Sequence, residues 1–318
     1  MANVLSLTVN PALDVSSRTS AVVPTHKLRC GSVRRQAGGG GINVARVLTQ
    51  LGVNACAVAP LGGSTGVLMA ELMQAEGLKT TVVPIAGHTR ESFTVAEQRS
   101  GQEFRFVLPG PTLSHTEWTA CLDAVDQSPS APDWVVASGS LPPGVPPDFY
   151  GQLAARCQTR GWPLVVDTSG PALTAALAVG VAMVKPSLGE LRALSHAPLK
   201  SLHAVRAAAQ DWGDTGKAKL VVVAMGDQGA LLVARHYAVF APALEVSVVS
   251  AVGAGDSFVA GLLYGLLNSP ELDTAFSWGV ATAGAAVAHA GPGRFSRSEV
   301  DALRARVALQ TVFADLPV

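Results

Sequence analysis

The sequence predicts an α/β fold in which a mainly parallel, doubly wound sheet lies between layers of helices and carries a small second sheet. Strand-length apolar runs alternate with helix-period segments over most of the chain. Hydrophobic residues reach 48% against 14% charged, with few aromatics, as buried parallel strands under helices require. Residues 79–108 break this rhythm and alternate apolar and polar residues with a period of two. One large unit spanning 1–318 is expected, with accessory strands inserted at about 14–35 and 79–108.

In chain order, VLSLTV reads as a buried strand ended by Asn10-Pro11, since proline donates to no ladder. Asp14 follows, then an irregular polar stretch with Lys27 and Arg29. Gly38 to Gly41 open a helix whose apolar positions Ile42, Val44, Ala45, Leu48 and Leu51 repeat at helical spacing. ACAVAPLGG is a strand and GVLMAELMQAEG a helix ending at Gly77. TTVVPI, ESFTVAEQR and EFRFVLP form the half-exposed, antiparallel-type accessory sheet. The α/β rhythm returns with WVVASGS, a helix near 147–160, PLVVDTSG, VAMVKPS, helical ELRALS and LHAVRAAAQDWG. LVVVAMGDQGALLV predicts two strands about a glycine turn, and VSVVSAVGAGDSFVAGLLYGLL a strand, a glycine loop and a helix. In such a sheet the site lies at the carboxyl ends of the strands.

Composition narrows the function classes. Lys plus Arg and Asp plus Glu are equal at 23 each, which gives no field toward nucleic acid or an anionic membrane. No apolar run approaches the roughly 18–20 residues of a membrane span. The N-terminus lacks the basic, apolar pattern of a secretory leader, and Cys30, Cys56, Cys121 and Cys157 show no metal or redox spacing, so a cytoplasmic protein with reduced thiols is expected. There is no GxxxxGK[ST], no GxGxxG dinucleotide fingerprint, no GxSxG around Ser138-Gly139-Ser140 and no HExxH among the seven histidines.

Two glycine loops carry the chemistry. Gly253, Ala254 and Gly255 set backbone N–H groups at a helix N-terminus, where they hold oxyanions, and Asp256 beside them is of the right type to take a proton from a hydroxyl. A plain helix cap explains Asp256 equally well on spacing alone. In the first loop Gly39 and Gly40 allow close approach of a ligand, and Asn43 and Asp14 offer hydrogen bonds to hydroxyls; a tight turn and a loop-capping Asp are the plain alternatives. Lys27, Arg29, Arg90 and Arg105 are either solvated surface cations or a phosphate clamp.

Taken together, TVNPALD, HKLRC, GGGGINVARVL, FRFVLPG, SGSLPPG, VKPS with its following EL, GDQGAL and VGAGDSFVAGL resemble, in order and spacing, the ribokinase-like (PfkB) carbohydrate kinases over nearly the whole chain. The all-glycine run and the PALD and KLR segments look most like the 6-phosphofructokinase branch, isozyme 2 type. The resemblance implies a three-layer α/β/α body, a β lid that packs in a homodimer, and ATP-dependent phosphorylation of fructose 6-phosphate at C1 with Mg²⁺. Tagatose-6-phosphate or fructose-1-phosphate kinase activity, or a non-catalytic sugar-phosphate or nucleotide sensor, remain alternatives.

Residue by residue, the resemblance implies Asp256 as base and Gly253, Ala254 and Gly255 as anion hole. It implies Asp14, Gly39, Gly40 and Asn43 as sugar contacts, and Lys27, Arg90, Arg105 and Ser138 as phosphate and lid contacts. Lys185, Glu190, Gly226 and Gly229 correspond to the nucleotide and magnesium region, with Glu190 reaching Mg²⁺ through water. A monovalent cation, K⁺, is implied near Ser250 and Val252 and near Ala286, His289 and Gly291. Three positions depart from the pattern: Ser187 replaces the Asn of an Asn-x-x-Glu motif, and Ala224 and Ala251 replace hydroxyl residues. Each lost hydrogen bond would weaken Mg·ATP handling by about 0.5–1.5 kcal/mol.

Overall fold

A computed structural model describes residues 3–195, 197–289 and 291–312. The first half of the chain runs β1 (Asn3–Leu7), β2 (Ala12–Thr19), β3 (Arg34–Gly38), α1 (Gly40–Gln50), β4 (Asn54–Leu61), α2 (Gly63–Ala75), β5 (Lys79–Pro84), β6 (Arg90–Glu97), β7 (Glu103–Val107), α3 (His115–Asp126) and β8 (Trp134–Ser138). It continues with α4 (Phe149–Arg160), β9 (Leu164–Asp167), α5 (Gly170–Val179), β10 (Val181–Val184), α6 (Leu188–Ser195), α7 (Leu202–Asp214), β11 (Ala218–Ala224) and β12 (Ala230–Ala234). The last elements are β13 (Tyr237–Ala241), α8 (Ala254–Asn268), α9 (Leu272–Val287), α10 (Arg297–Arg304) and β14 (Gln310–Thr311).

Ten strands form the large sheet in the order β14-β13-β12-β11-β10-β9-β8-β1-β4-β5, parallel from β11 to β5 and antiparallel from β11 outward to β14. Successive residues of the central strands point to opposite faces and feed two separate cores. Val4 of β1, Val136 of β8 and Val165 of β9 pack with α1, α8 and α9. Leu5, Leu7, Val135, Ala137, Leu164 and Val166 pack with α3, α4 and α5. The expected mainly parallel sheet with helices on both faces is what forms.

The small sheet has the order β3-β2-β6-β7, and its central pair, β2 with β6, is parallel, so it is mixed and not antiparallel throughout. Two expectations about strands need correcting. Residues 79–84 belong to the large sheet, because β5 pairs in parallel with β4; as its edge strand β5 is largely exposed, with Val83 its one buried residue, and its mixed polar and apolar sequence therefore reads like that of a lid strand. No strand forms between 242 and 253, where VSVVS leads to α8 as irregular chain with Val248 and Val249 largely exposed. The small-sheet strands start at Ala12 and continue to Gly38, slightly beyond the 14–35 segment.

Sequentially, β1, β4 and β5 step toward one edge and β8 to β11 toward the other, so the winding reverses between β1 and β8. Their carboxyl ends carry the sequences after Leu7, Ser138 and Asp167, and the small sheet rises from this same edge. A crevice at such a reversal is where open α/β sheets bind ligands.

Candidate active site

Gly253 sits at the N-cap of α8 with φ 76°, and a Cβ there would meet the Pro292 ring at 2.8 Å, so glycine is required both conformationally and sterically. The helix begins at Ala254, and Asp256 lies inside its first turn. Asp256 does not cap the helix. Its Oδ2 accepts from Asn43 Nδ2 at 2.8 Å and its Oδ1 from Ser138 Oγ at 3.5 Å, so both oxygens turn toward α1 and the end of β8. The N–H groups of Gly255 and Asp256 have no acceptor within the helix, because a first turn has none to offer, and they lie at the positive end of α8.

The first glycine loop brings α1 against the same spot. Gly39, with φ 122°, turns the chain out of β3, and Thr8 Oγ1 accepts the Ile42 N–H at 3.0 Å to hold the new helix on β1. Asn43, buried in that helix, then reaches Asp256. A cavity of about 320 Å³ lies in front of Asp256, lined by Asp14, Gly39, Gly40, Asn43, Arg90, Arg105, Ser138, Gly253 and Gly255 among others. A second cavity of about 300 Å³ adjoins it, sharing Asp14, Asn43, Arg105 and Val252.

Burial raises the Asp256 pKa to about 6, reinforced by the charge of Asp167 and opposed by the Asn43 hydrogen bond and Lys185. That is a carboxylate poised to accept a proton near neutral pH. For Lys185, burial alone would lower the pKa, but the carboxylates of Asp167, Asp256 and Glu190 hold it above its ordinary value. Its Nζ pairs with Asp167 Oδ2 at 3.1 Å. Asp14 is raised by burial, against the pull of Arg105, Arg46, Arg90 and Arg34. The Arg90 guanidinium is fixed by the carbonyls of Leu108 and Asn10, at 2.9 and 3.0 Å.

Not every residue singled out in the sequence reaches this cavity. Lys27 is exposed in the loop between β2 and β3 and does not line it. Ser187, Glu190, Ala224, Gly226, Gly229 and Ala251 also lie outside its lining. Ser187 and Glu190 cap α6 reciprocally, each backbone N–H bonding the other's side chain at 2.7 and 3.2 Å. Ser187 and Ala224 form an isolated parallel bridge, and Gly226 and Gly229 flank the short turn joining β11 to β12. Ser250 and Val252 line the second cavity with Gly291, while the Ser250 N–H reaches the Val287 carbonyl, so the two segments assigned to a cation do meet. Within the second segment the His289 imidazole pairs with Glu299 and Ala290 lies outside the described residues.

One cavity residue, Asp167, and one residue behind the cavity, Arg46, escaped the sequence. Asp167 ends β9 and lines the cavity, and its signal was available: an acid at the carboxyl end of a predicted parallel strand, in VVDTSG. Arg46 sits behind Asn43 on the buried side of α1, where nothing in a helical pattern distinguishes it from a surface cation.

A family described as pfkB family carbohydrate kinase matches residues 6–299. The ATP-dependent 6-phosphofructokinase isozyme 2 of Mycobacterium tuberculosis (strain ATCC 25618 / H37Rv) is 42% identical over 298 residues, 94% of this chain and 88% of its own. The 1-phosphofructokinase of Xanthomonas campestris pv. campestris is 38% identical over 285 residues, 86% of this chain and 89% of its own. The crystal structure of phosphofructokinase-2 from Escherichia coli in complex with fructose-6-phosphate matches with a TM-score of 0.90 at 37% identity, over 96% of this chain and 99% of that one. The chain belongs to the pfkB family of carbohydrate kinases.

Proposed function

We propose that this sugar-phosphate kinase transfers the γ-phosphoryl group of ATP to the C1 hydroxyl of fructose 6-phosphate, giving fructose 1,6-bisphosphate and ADP. The observation that carries the reading is Asp256, a base aimed into the cavity beside a helix N-terminus, with cationic Arg90 and Arg105 on the wall toward the small sheet. Asp256 accepts the hydroxyl proton as oxygen attacks phosphorus, while the N–H groups of Gly255 and Asp256 and the ammonium of Lys185 stabilise charge on the transferring group. Asp14 and Asn43 orient the sugar, and Arg90, Arg105 and Ser138 hold its phosphate side. Closure of the small sheet excludes water.

Among the described residues no cluster of three or more His, Cys, Asp or Glu could hold a metal. Mg²⁺ takes one or two carboxylates and otherwise phosphate oxygens and water, and Asp167 with the nearby Glu190 would be the protein's contribution, Glu190 through water. Magnesium would neutralise charge on the phosphates. Ser187, Ala224, Ala251, Gly226 and Gly229 belong to the nucleotide side of this reading, and K⁺ to the meeting of Ser250, Val252 and Gly291. The exposed Phe106, Val107 and Leu108 at the end of β7 and Leu28 and Val33 in the loop before β3 give the lid an apolar face suited to a homodimer, where Lys27 also resides. No helix among the described residues is long and apolar enough to cross a membrane. The four cysteines are free thiols, the form a cytoplasmic setting keeps.

The similarity to a 1-phosphofructokinase favours fructose 1-phosphate, or a related ketose phosphate such as tagatose 6-phosphate, as the second reading. ADP release measured across phosphorylated ketoses separates them: kcat/KM for fructose 6-phosphate should exceed the others by about tenfold or more. Equal or faster turnover of fructose 1-phosphate overturns the choice. A non-catalytic sensor has no use for a carboxylate held in this geometry; failure of ADP release with every sugar phosphate, alongside ligand binding measurable by calorimetry, would reinstate it.

The pH dependence follows from the same carboxylate. Its raised pKa means that the proton-accepting form dominates only above about 6, so kcat should fall as pH drops through 6, approaching tenfold per unit. The measurement belongs on kcat at saturating substrate, because a sugar phosphate itself ionises near 6. A kcat that is flat from pH 8 to 5 rules out Asp256 as the base.

A further inference from the structure

Arg46 is 6% exposed, yet it carries a full charge into the interior of α1's packing face. Three elements meet it there. Its Nε pairs with Glu76 Oε2 at the end of α2 at 2.6 Å, its Nη1 donates to Asn43 Oδ1 one turn back in α1 at 2.6 Å, and its Nη2 donates to the Ala37 carbonyl in β3 at 2.5 Å. The Asn43 amide therefore stands between a guanidinium, which can only donate, and the Asp256 carboxylate, which can only accept when ionised. Only one of its two orientations satisfies both: Oδ1 toward Arg46 and Nδ2 toward Asp256.

We propose that Arg46 is a positioning residue for phosphoryl transfer, locking the Asn43 amide so that its Nδ2 holds Oδ2 of Asp256 and leaves Oδ1 to face the acceptor hydroxyl. The proposal rests on the reading of Asp256 as the base. Without Arg46 the amide is free to rotate and present its own oxygen to the carboxylate, which repels the ionised form and lets the base swing. The Ala37 contact adds a second constraint, since Ala37 pairs with Leu13 beside Asp14, so the same guanidinium fixes the root of the small sheet against α1.

Asp167 from β9, Lys185 after β10 and Asp14 from β2 also face Asp256, and Arg46 acts on the charge of Asp14. A lost charge and a lost amide orientation must therefore be told apart. Arg46→Met keeps the apolar stem of the side chain to about the reach of Nε and removes every donor. In this variant kcat should fall about tenfold or more and the acidic limb of kcat should move up by about one pH unit, while both KM values stay within about threefold. In an Asn43→Ala background, Arg46→Met should move the limb no further. A limb that stays in place in Arg46→Met overturns the proposal. So does a shift of equal size in the Asn43→Ala background, because that assigns the effect to charge alone. Asp256→Asn measured in parallel isolates the underlying reading: if it retains activity, the base assignment has failed, and if it does not, a motionless limb condemns only the role of Arg46. Should Arg46→Met not fold, Arg46→Lys keeps the charge but cannot span the three partners; it should shift the limb in the same direction by a smaller amount, and a limb identical to wild type overturns the proposal.

Discussion

Asp256→Asn lowers kcat by a factor of about 10² or more at pH 8, with little change in either KM, because an amide of the same shape keeps the cavity but cannot take the proton. The expected result has a second half, in stability. Burial raises the Asp256 pKa from 3.8 to about 6 in the folded protein. Between those values the unfolded chain gives up this proton while the folded chain retains it, so the group favours folding below about pH 4 and that contribution is lost as pH rises through 6. Above pH 6 the native state holds a carboxylate that burial disfavours, at a cost of up to about 3 kcal/mol, less where solvent enters from the cavity. Asn carries no such cost and can turn its oxygen to accept from Asn43. Thermal unfolding at pH 8 should therefore show a higher Tm for Asp256→Asn than for wild type, and the difference should vanish near pH 4. A variant that loses activity and stability together would mean that Asp256 is a structural anchor, and retention of kcat within tenfold would remove it from the chemistry.

The two halves of that prediction track how the site was legible in the sequence. A glycine loop opening a helix is a local pattern, so Gly253 to Asp256 could be read directly, but whether the carboxylate capped its own helix or faced a ligand depended on Asn43 and Ser138, which lie 213 and 118 residues away. The rhythm of the parallel strands was equally local, since each strand is buried on both faces by neighbours of the same kind. Edges were misread for a physical reason. β5 is largely exposed as the edge of the large sheet, as a strand of the small sheet would be, so its mixed polar and apolar sequence says nothing about its partner. VSVVS has the β-branched composition of a strand, yet it lies on the surface as irregular chain, with Val248 74% exposed. Arg46 was invisible for a related cause. Its meaning comes from Glu76, Asn43 and Ala37 meeting in space, and helical spacing records none of those contacts except the one to Asn43.

Gly40→Ala should cost about 10²-fold in kcat/KM for the sugar phosphate while the protein folds normally. Gly40 is the first residue of α1 and its backbone is not in the left-handed region, so alanine is conformationally acceptable there and favours the helix by up to about 1 kcal/mol. The obstacle is on the cavity side. A Cβ at this position would overlap Ser138 Oγ, lie 2.8 Å from Ser138 Cβ and stand 3.1 Å from Asp256 Oδ1. Ser138 is 2% exposed at the end of β8 and its Cβ is fixed to the strand, so rotating the hydroxyl away does not relieve the contact. Either α1 withdraws from β8 by several tenths of an ångström, carrying Asn43 off Asp256, or the methyl occupies the space in which the acceptor hydroxyl would meet the carboxylate. Both routes spoil alignment of the nucleophile and spare the nucleotide side, so KM for ATP should stay within about threefold. The neighbouring Gly41→Ala makes the contrast: its Cβ would meet the Leu7 carbonyl oxygen and Thr8 Oγ1 at 2.7 Å, which is the packing of α1 on β1, and there the Tm should fall. Steady-state kinetics with thermal unfolding on the two variants decides the matter, and a Gly40→Ala enzyme within about threefold of wild type in kcat/KM would show that the sugar does not enter between α1 and β8.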